Sequence, residues 1–522
     1  MTWALQEQIR ARLGDEQGTL LSEAGHKIAL CYPSPYSVGM SSLGFQTIYR
    51  EICGRPGWSA ERAFLPDDVA AWRAARAPLV TYETLRPVSA FETLAFSVAY
   101  ELELPGFFEV LELAGLPLLA SERDVRHPLI IAGGPLTFSN PLPLAPFVDV
   151  ILLGEAEELI HDLMARLEAA PERDALLDAL AVLPGFYVPG RTAKLGAVAR
   201  AEDDRLPARS QILTPHTELR SMFLIEPERG CSRGCTYCVM RRTTNGGMRT
   251  VPPERVLELV PAKAKRVGLV GAAVTDHPRV VELVRKLVES GRQVGISSLR
   301  ADRLTDELVA ALKQGGARSL TTAADGASER MRKAIDRKTP TEALFRAAQL
   351  ARAHGLAHLK LYVMCGIPGE TVEDIDELAA LGRELSAIIP LAFGMSPFVA
   401  KRNTPMDGSP FEPIASIDGK LDRLRRALKG RAEVRATSAR WAWVEYMLAQ
   451  SGPESGLAAL DAWRAGGSFA AWKKAFAERE VKPFQAARVT DGRLNLPQLS
   501  AWPTIGPAAS AVRPAPASSL PG

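Results

Sequence analysis

Cysteine is scarce in this chain. Only Cys31, Cys53, Cys231, Cys235, Cys238 and Cys365 occur among 522 residues, and so few in so long a chain exclude a disulfide framework. An excess of one charge is missing too. The 63 basic and 60 acidic residues leave a formal charge of +3, without the basic surplus of a dedicated nucleic-acid binder. Long apolar runs are also absent. The stretch Leu385–Ala400 is uncharged and mostly apolar, but it is too short for a membrane span and carries Pro390, Gly394 and Pro397. It reads as a helix end running into a buried strand. The N-terminus mixes Trp3, Leu5, Ile9 and Leu13 with Glu7, Arg10 and Arg12, a short amphipathic helix and no apolar signal sequence. Together these absences point to a cytoplasmic enzyme with no membrane contact and no indicated nucleic-acid partner. Hydrophobic residues, at 47%, supply several cores, and the length fits about three domains.

The expected fold class is α/β. From 1 to 170, strands read at His26–Pro33, Ala77–Tyr82, Leu94–Tyr100, Pro128–Ala132 and Val148–Leu153. Helices read around Leu43–Ile52 and Phe107–Ala114, and after Gly154. Short apolar strands between helices imply a parallel sheet covered on both faces. This is a doubly wound, Rossmann-like domain with glycine loops at strand C-termini, where such sheets bind ligands. Residues 171–220 read as a connector. From 221 to 408, strands at Met222–Glu226, Arg266–Gly271, Gln293–Leu299, Arg318–Ala323, His358–Met364 and Leu391–Phe398 alternate with helices. Helices read at Pro253–Lys265, Pro278–Ser290, Thr305–Gln314, Thr341–His354 and Val372–Ser386. Six β/α units imply a partial (β/α)6 barrel with its chemistry at the strand C-termini. Residues 409–502 read as a helical region whose core includes Trp441, Trp443, Trp463 and Trp472. The Pro-, Ala- and Ser-rich tail, 503–522, reads as disordered.

Three of the six cysteines fall within eight residues, Cys231-Ser232-Arg233-Gly234-Cys235-Thr236-Tyr237-Cys238, directly after a strand. Three thiolates on a tight loop can bind three irons of a cubane cluster and leave the fourth iron open. Gly230 and Gly234 let the backbone wrap closely round such a cluster. Structural zinc is the competing use. It normally takes four N or S ligands, and no second Cys or His pair stands near; the closest histidines are His216 and His277.

This spacing, with an aromatic residue just before the third cysteine, resembles the radical S-adenosylmethionine (SAM) superfamily, and the likeness runs over Met222–Asp407. The resemblance implies a [4Fe–4S] cluster on Cys231, Cys235 and Cys238. It also implies SAM chelated at the open iron and a low-potential electron donor such as flavodoxin or ferredoxin. It puts Tyr237 near the adenine. After the second barrel strand the family has Gly-Gly-Glu; here Val270-Gly271-Ala272-Ala273 keeps the position without the acid, so Gly271 and Ala272 would meet the methionyl amine through backbone carbonyls. Ser298 and Arg300, after the third strand, are candidates for the ribose and the carboxylate, and Arg300 has a competing use in an ion pair with Asp302 or Asp306. Asp325-Gly326-Ala327-Ser328-Glu329-Arg330 is similar to a Glu-Ala-Gly-Ser-Glu-Arg segment of cobalamin-linked relatives. Gly366-Ile367-Pro368-Gly369-Glu370-Thr371 matches the adenine-supporting turn, with Gly366 and Ile367 at its head.

The N-terminal region resembles the cobalamin-binding-type domain of many such enzymes, through Ser34–Gln46, Leu94–Tyr100, Gly133-Gly134-Pro135 and Gly154-Glu155-Ala156-Glu157. Cobalamin is therefore a further candidate cofactor, with Gly133, Gly134 and Gly154 as its contacts. No Asp-x-His-x-x-Gly occurs, so a histidine-ligated corrinoid is not expected. Three reaction classes follow: a cobalamin-dependent methyltransferase or related carbon-centred radical enzyme, a cobalamin-free radical enzyme with a degenerate N-terminal domain, and a methylthiotransferase. The last needs three more N-terminal cysteines where only Cys31 and Cys53 exist. No catalytic side chain and no substrate can be read from the sequence.

Overall fold

The computed structural model describes residues 2–170, 172–240, 247–296, 299–484, 489–490 and 493–494. The tail read as disordered lies outside them. Among the described residues no helix is long and apolar enough to cross a membrane.

The first sheet contains β1 (His26–Tyr32), β2 (Trp58–Phe64), β3 (Thr93–Ser97), β4 (Leu129–Gly133), β5 (Val150–Leu152) and β6 (Phe186–Tyr187), in the order β2-β1-β3-β4-β5-β6. β1 to β5 are parallel, and β6 closes the edge antiparallel to β5. The chain steps outward from β1 to β2 and then returns to β3 on the other side. The reversal opens a crevice at the strand C-termini, the usual ligand position in such sheets.

Four of the five expected strands form. The fifth does not: Ala77–Tyr82 makes a single bridge, Val80 to Pro87, and β2 takes the place. β2 escapes a periodicity search because it carries Glu61 and Arg62, yet all seven of its residues are buried. Arg62 is fully buried between Glu16, at 2.7 Å, and Glu83, at 2.6 Å. Glu61 accepts the Thr81 hydroxyl at 2.7 Å and pairs with Lys27 at 3.2 Å. The charges are neutralised inside, as burial demands.

The second unit holds β7 (Met222–Ile225), β8 (Glu228–Gly230), β9 (Met248–Thr250), β10 (Arg266–Leu269), β11 (Gln293–Ile296), β12 (Ser319–Asp325), β13 (His358–Cys365), β14 (Leu391–Pro397) and β15 (Ala432–Ala436). Two parallel arcs, β7-β10-β11 and β12-β13-β14-β15, meet through the Leu299–Thr322 bridge as a partial barrel. All six expected barrel strands are present. β15 is a seventh, in the stretch read as helical. It is short and at an edge, with Glu433 and Arg435 paired on its surface, a pattern that protects an edge and hides it from hydrophobic periodicity. The helix expected over Pro253–Lys265 ends at Leu259, ahead of Pro261, whose ring restricts the residue before it.

Past residue 409 the helices are Ile414–Ala427, Ala439–Ala449, Pro453–Arg464 and Phe469–Glu478. Trp472 is buried as expected, but Trp441 is exposed. Trp463 packs against Phe108 and donates to Glu109, so it ties this region to the first sheet's helix Leu104–Leu113.

Removing the Arg62 guanidinium strands Glu16 and Glu83 in the interior. Arg62→Ala is expected to lower the unfolding free energy by about 3–5 kcal/mol, read as a lower denaturation midpoint. A change under about 1 kcal/mol, the scale of a surface pair, would contradict this account.

Candidate functional site

β8 and β9 form an antiparallel hairpin in which Arg229 faces Arg249 and Gly230 faces Met248. The cysteine segment is the long loop of this hairpin. Cys235 is buried and Cys231 and Cys238 are partly exposed; none is in a disulfide. Burial raises the Cys231 thiol pKa and pushes that of Cys238 up to about 11, so metal must displace a proton there. Among the described residues no three His, Cys, Asp or Glu side chains gather as ligands of one ion do. Thiolates bound to three different irons of a cubane need not gather so closely, since each sulfur meets its own iron. The donor set, three free thiols on a loop with positive neighbours, fits such a cluster.

The loop is pinned to the barrel. Tyr237 donates to Asp325 at 2.7 Å, and Arg337 binds the same carboxylate at 2.7 Å while also bonding Cys235. Thr236 N–H donates to Ile335 O, and Thr236 O accepts from Met406 N–H. Tyr237 and Asp325, singled out separately in the sequence, are therefore partners. Arg300 is buried and forks onto Asp302 at 3.0 and 2.8 Å, with Asp276 at 3.4 Å. Arg233, between the first two cysteines, shares both acids at 3.1 and 3.3 Å. Arg300 thus has an internal use, within a network of Arg233, Asp276, Asp302 and Arg303 whose members lie too far apart in sequence to be seen as one. Ser298 lies outside the described residues.

The turn after β10 lacks an acid of its own, but one reaches it. Glu228 of β8 is wholly buried and accepts the Ala273 N–H at 2.8 Å. Its Oε1 fills the space a Cβ on Gly271 would need, 2.1 Å away, which is why this position is glycine beside Ala272. Nothing in the sequence marked Glu228, because its partner is 45 residues ahead. Gly366 N–H is held by Glu370 at 2.8 Å, Glu370 by Lys420 at 3.0 Å, and Ile367 is buried beside them. Ser328 and Arg330 both bond Asp374 at the start of the next helix, so the two matched segments brace each other.

A cavity of about 360 Å³ opens at the C-terminal edge of the first sheet. Gly133, Gly134 and Gly154 line it from that sheet, and Arg229, Val239 and Met240 line it from the cysteine hairpin. The three glycines are not alike. Gly134 (φ +98°) and Gly154 (φ +99°) have left-handed backbones pressed against Val98 and Ala199, so the fold itself needs glycine there. A Cβ on Gly133 would meet only Leu152, at 3.8 Å.

Comparison with known proteins matches this architecture. Residues 44–189 match the family of radical SAM proteins, N-terminal, and residues 225–382 match the radical SAM superfamily. The chain belongs to the radical SAM superfamily. Its cofactors are a [4Fe–4S] cluster and SAM, and its chemistry needs a reductant and a substrate. An uncharacterised protein from Methanocaldococcus jannaschii is 26% identical over 77% of this chain and 83% of its own length. A 2-(S-pantetheinyl)-carbapenam-3-carboxylate methyltransferase from Streptantibioticus cattleyicolor is 28% identical over 33% of this chain and 28% of its own. Among solved structures, the radical SAM methyltransferase TsrM from Kitasatospora setae, with cobalamin and a [4Fe–4S] cluster bound, aligns with a TM-score of 0.53. It is 12% identical, over 88% of this chain and all of that one, a likeness of fold.

Burial raises the Glu228 carboxyl pKa to about 7, above the ordinary value near 4.3. Between those values the folded chain holds a proton that the unfolded chain releases, so stability falls as pH rises from about 4.3 to 7. In the cluster-free protein, Glu228→Gln should remove roughly 3–4 kcal/mol of that fall. Parallel denaturation curves of variant and parent across this range would refute the assignment.

Proposed function

We propose that this radical SAM protein binds its cluster through Cys231, Cys235 and Cys238 and cleaves SAM reductively. We further propose that it takes a corrinoid in the cavity beside the cysteine hairpin, for methyl transfer or a related carbon-centred radical reaction. When bound, the cluster supplies the electron that breaks the sulfonium to a 5′-deoxyadenosyl radical, and a corrinoid would supply a transferable methyl group.

The observation that carries the corrinoid reading is the position of the cavity. It lies at the first sheet's switch point and runs up to Val239 and Met240, just past the third cysteine. Its walls are chiefly apolar, with Leu30, Phe45, Phe96 and Ile131 against the sheet and Arg229, Glu155 and Glu157 at one end. Such a lining excludes water and leaves charge at one place only. No histidine is among the described lining residues, which fits a corrinoid bound without a histidine ligand. The volume is near the low end for small-molecule sites, so the bulky nucleotide tail would extend beyond the cavity mouth. TsrM, which has this fold, binds both cofactors.

For the chain's own part, Tyr237, Asp325 and Arg337 hold the cysteine loop against the barrel. Glu228 sets the turn at Gly271–Ala273, where the methionyl end of SAM is expected. Ser298 and Arg300 remain the proposed ribose and carboxylate contacts, with Gly366 and Ile367 under the adenine. A flavodoxin- or ferredoxin-type donor fits the low potential, on the order of −400 mV or below, that sulfonium cleavage requires. The cobalamin-free alternative is favoured by one observation: Gly134 and Gly154 are explained by backbone contacts to Val98 and Ala199, without any ligand. The methylthiotransferase reading has no support, since Cys31 is sealed inside β1 and Cys53 contacts Ala60 in the same core.

The protein reconstituted anaerobically should carry about four irons per chain and release 5′-deoxyadenosine from SAM with dithionite. Alanine at Cys231, Cys235 or Cys238 should abolish both, whereas alanine at Cys31, Cys53 or Cys365 should spare them. S-Adenosylhomocysteine as the sole product would sink the radical reading. Hydroxocobalamin should be retained after gel filtration and lost in Gly133→Trp. Gly154→Trp is unsuitable, because its Cβ alone would strike Ala199 at 2.5 Å. Failure of the cluster-loaded parent to retain any corrinoid would leave the cobalamin-free alternative.

A further inference from the structure

The hairpin that carries the cysteines contains an electrostatic conflict that its own residues do not resolve. Arg229 on β8 and Arg249 on β9 are direct cross-strand partners, and like charges at facing positions push an antiparallel pair apart. Both side chains are largely buried, at 12% and 8% exposure, so solvent screens the repulsion little. The conflict is resolved from outside the hairpin, chiefly from the other sheet. Glu155, in the loop after β5, sets one oxygen 2.6 Å from Arg249 and 3.3 Å from Arg229. Glu157 takes Arg229 at 2.7 Å, and Glu226 takes it at 2.8 Å. Glu155 is itself oriented by the Ala201 N–H at 2.8 Å, and the Ala201 carbonyl accepts from Arg249 at 2.6 Å.

Arg229 stands two residues before Cys231, and Arg249 stands on the strand by which the chain leaves the cysteine loop. The separation of these two arginines therefore sets the width of the loop's base. We infer that Glu155 of the N-terminal sheet is a positioning residue for the iron–sulfur cluster, clamping shut the hairpin from which the three cysteines hang. Glu157 is its auxiliary. The inference rests on the reading of Cys231, Cys235 and Cys238 as cluster ligands. It gives the N-terminal sheet a role whether or not the cavity holds a corrinoid.

Neutralising Glu155 while keeping its shape removes the one carboxylate that the two facing cations share. The added positive charge favours the reduced cluster, and the strained loop base exposes its irons. The test uses the full chain, reconstituted anaerobically, with the midpoint potential read by electron paramagnetic resonance and iron release timed against a chelator. Glu155→Gln should shift the midpoint positive and speed iron release several-fold. Glu157→Gln should shift both in the same direction but less. Adding Arg249→Met to Glu155→Gln removes the facing charge and should return both readings toward the parent. An unchanged potential and release rate in Glu155→Gln would overturn the inference. If that variant does not fold, Glu157→Gln and the double variant decide it: parent-like values in the first, or no recovery in the second, count against the clamp. A parent protein that takes up no iron would instead overturn the cluster assignment itself, before any variant is compared.

Discussion

In a parallel sheet every loop that follows a strand emerges along one edge, and that edge holds the sheet's chemistry. Here the first sheet and the partial barrel turn those edges toward each other. Loops after β3, β4 and β5 meet segments after β7 and β14. Lys401, beyond β14, binds Glu101, beyond β3, at 2.7 Å, and Asn403 donates to the Phe138 carbonyl beyond β4. The cavity, the cysteine hairpin and the Glu155–Arg229–Arg249 cluster lie in this seam. Its geometry decides what the protein can do, because a ligand placed there touches both units at once.

Buried charge is the second organising constraint. Arg62, Arg229, Arg249 and Arg300 all lie inside the protein, each matched to two or more carboxylate or carbonyl oxygens. Replacing such pairs with well-packed apolar groups often costs nothing, while breaking one is expensive. They are therefore better understood as specifying arrangement than as adding stability. At the seam they fix which way the cysteine loop faces. Inside the first sheet they fix β2 beside β1, though β2's sequence looks like a surface segment.

Secondary structure was legible wherever apolar periodicity was clean. All six barrel strands and most of their helices lie close to where the pattern places them. It failed where charge interrupted the pattern. β2 escapes the pattern because it carries the buried charges Glu61 and Arg62, whereas Ala77–Tyr82 reads as a strand because it is apolar. β15 escapes it too, because it is a short edge strand with Glu433 and Arg435 and lies in a stretch that reads as helical. The cluster cysteines were legible at once, since their chemistry depends on local spacing. Glu228, Arg233, Asp276 and Glu155 were not, because their roles depend on distant partners.

The C-x-x-x-C-x-x-C loop, the turns at Gly271 and Gly366, and the alternation that makes two parallel sheets are all written in the chain itself. These are properties of neighbouring residues, and backbone geometry alone relates them. That Glu228 occupies the turn after β10, that Tyr237 and Asp325 are partners, and that Glu155 reaches Arg249 across 94 residues depends on how the folded chain packs. A buried charge must find its partner in whichever strand packs beside it, and the order of strands in a sheet is set by the whole chain. The glycines show the same division. Their positions were plain in the sequence, but the neighbours that require Gly134 and Gly154, and leave Gly133 free to face the cavity, belong to strands brought alongside by the fold.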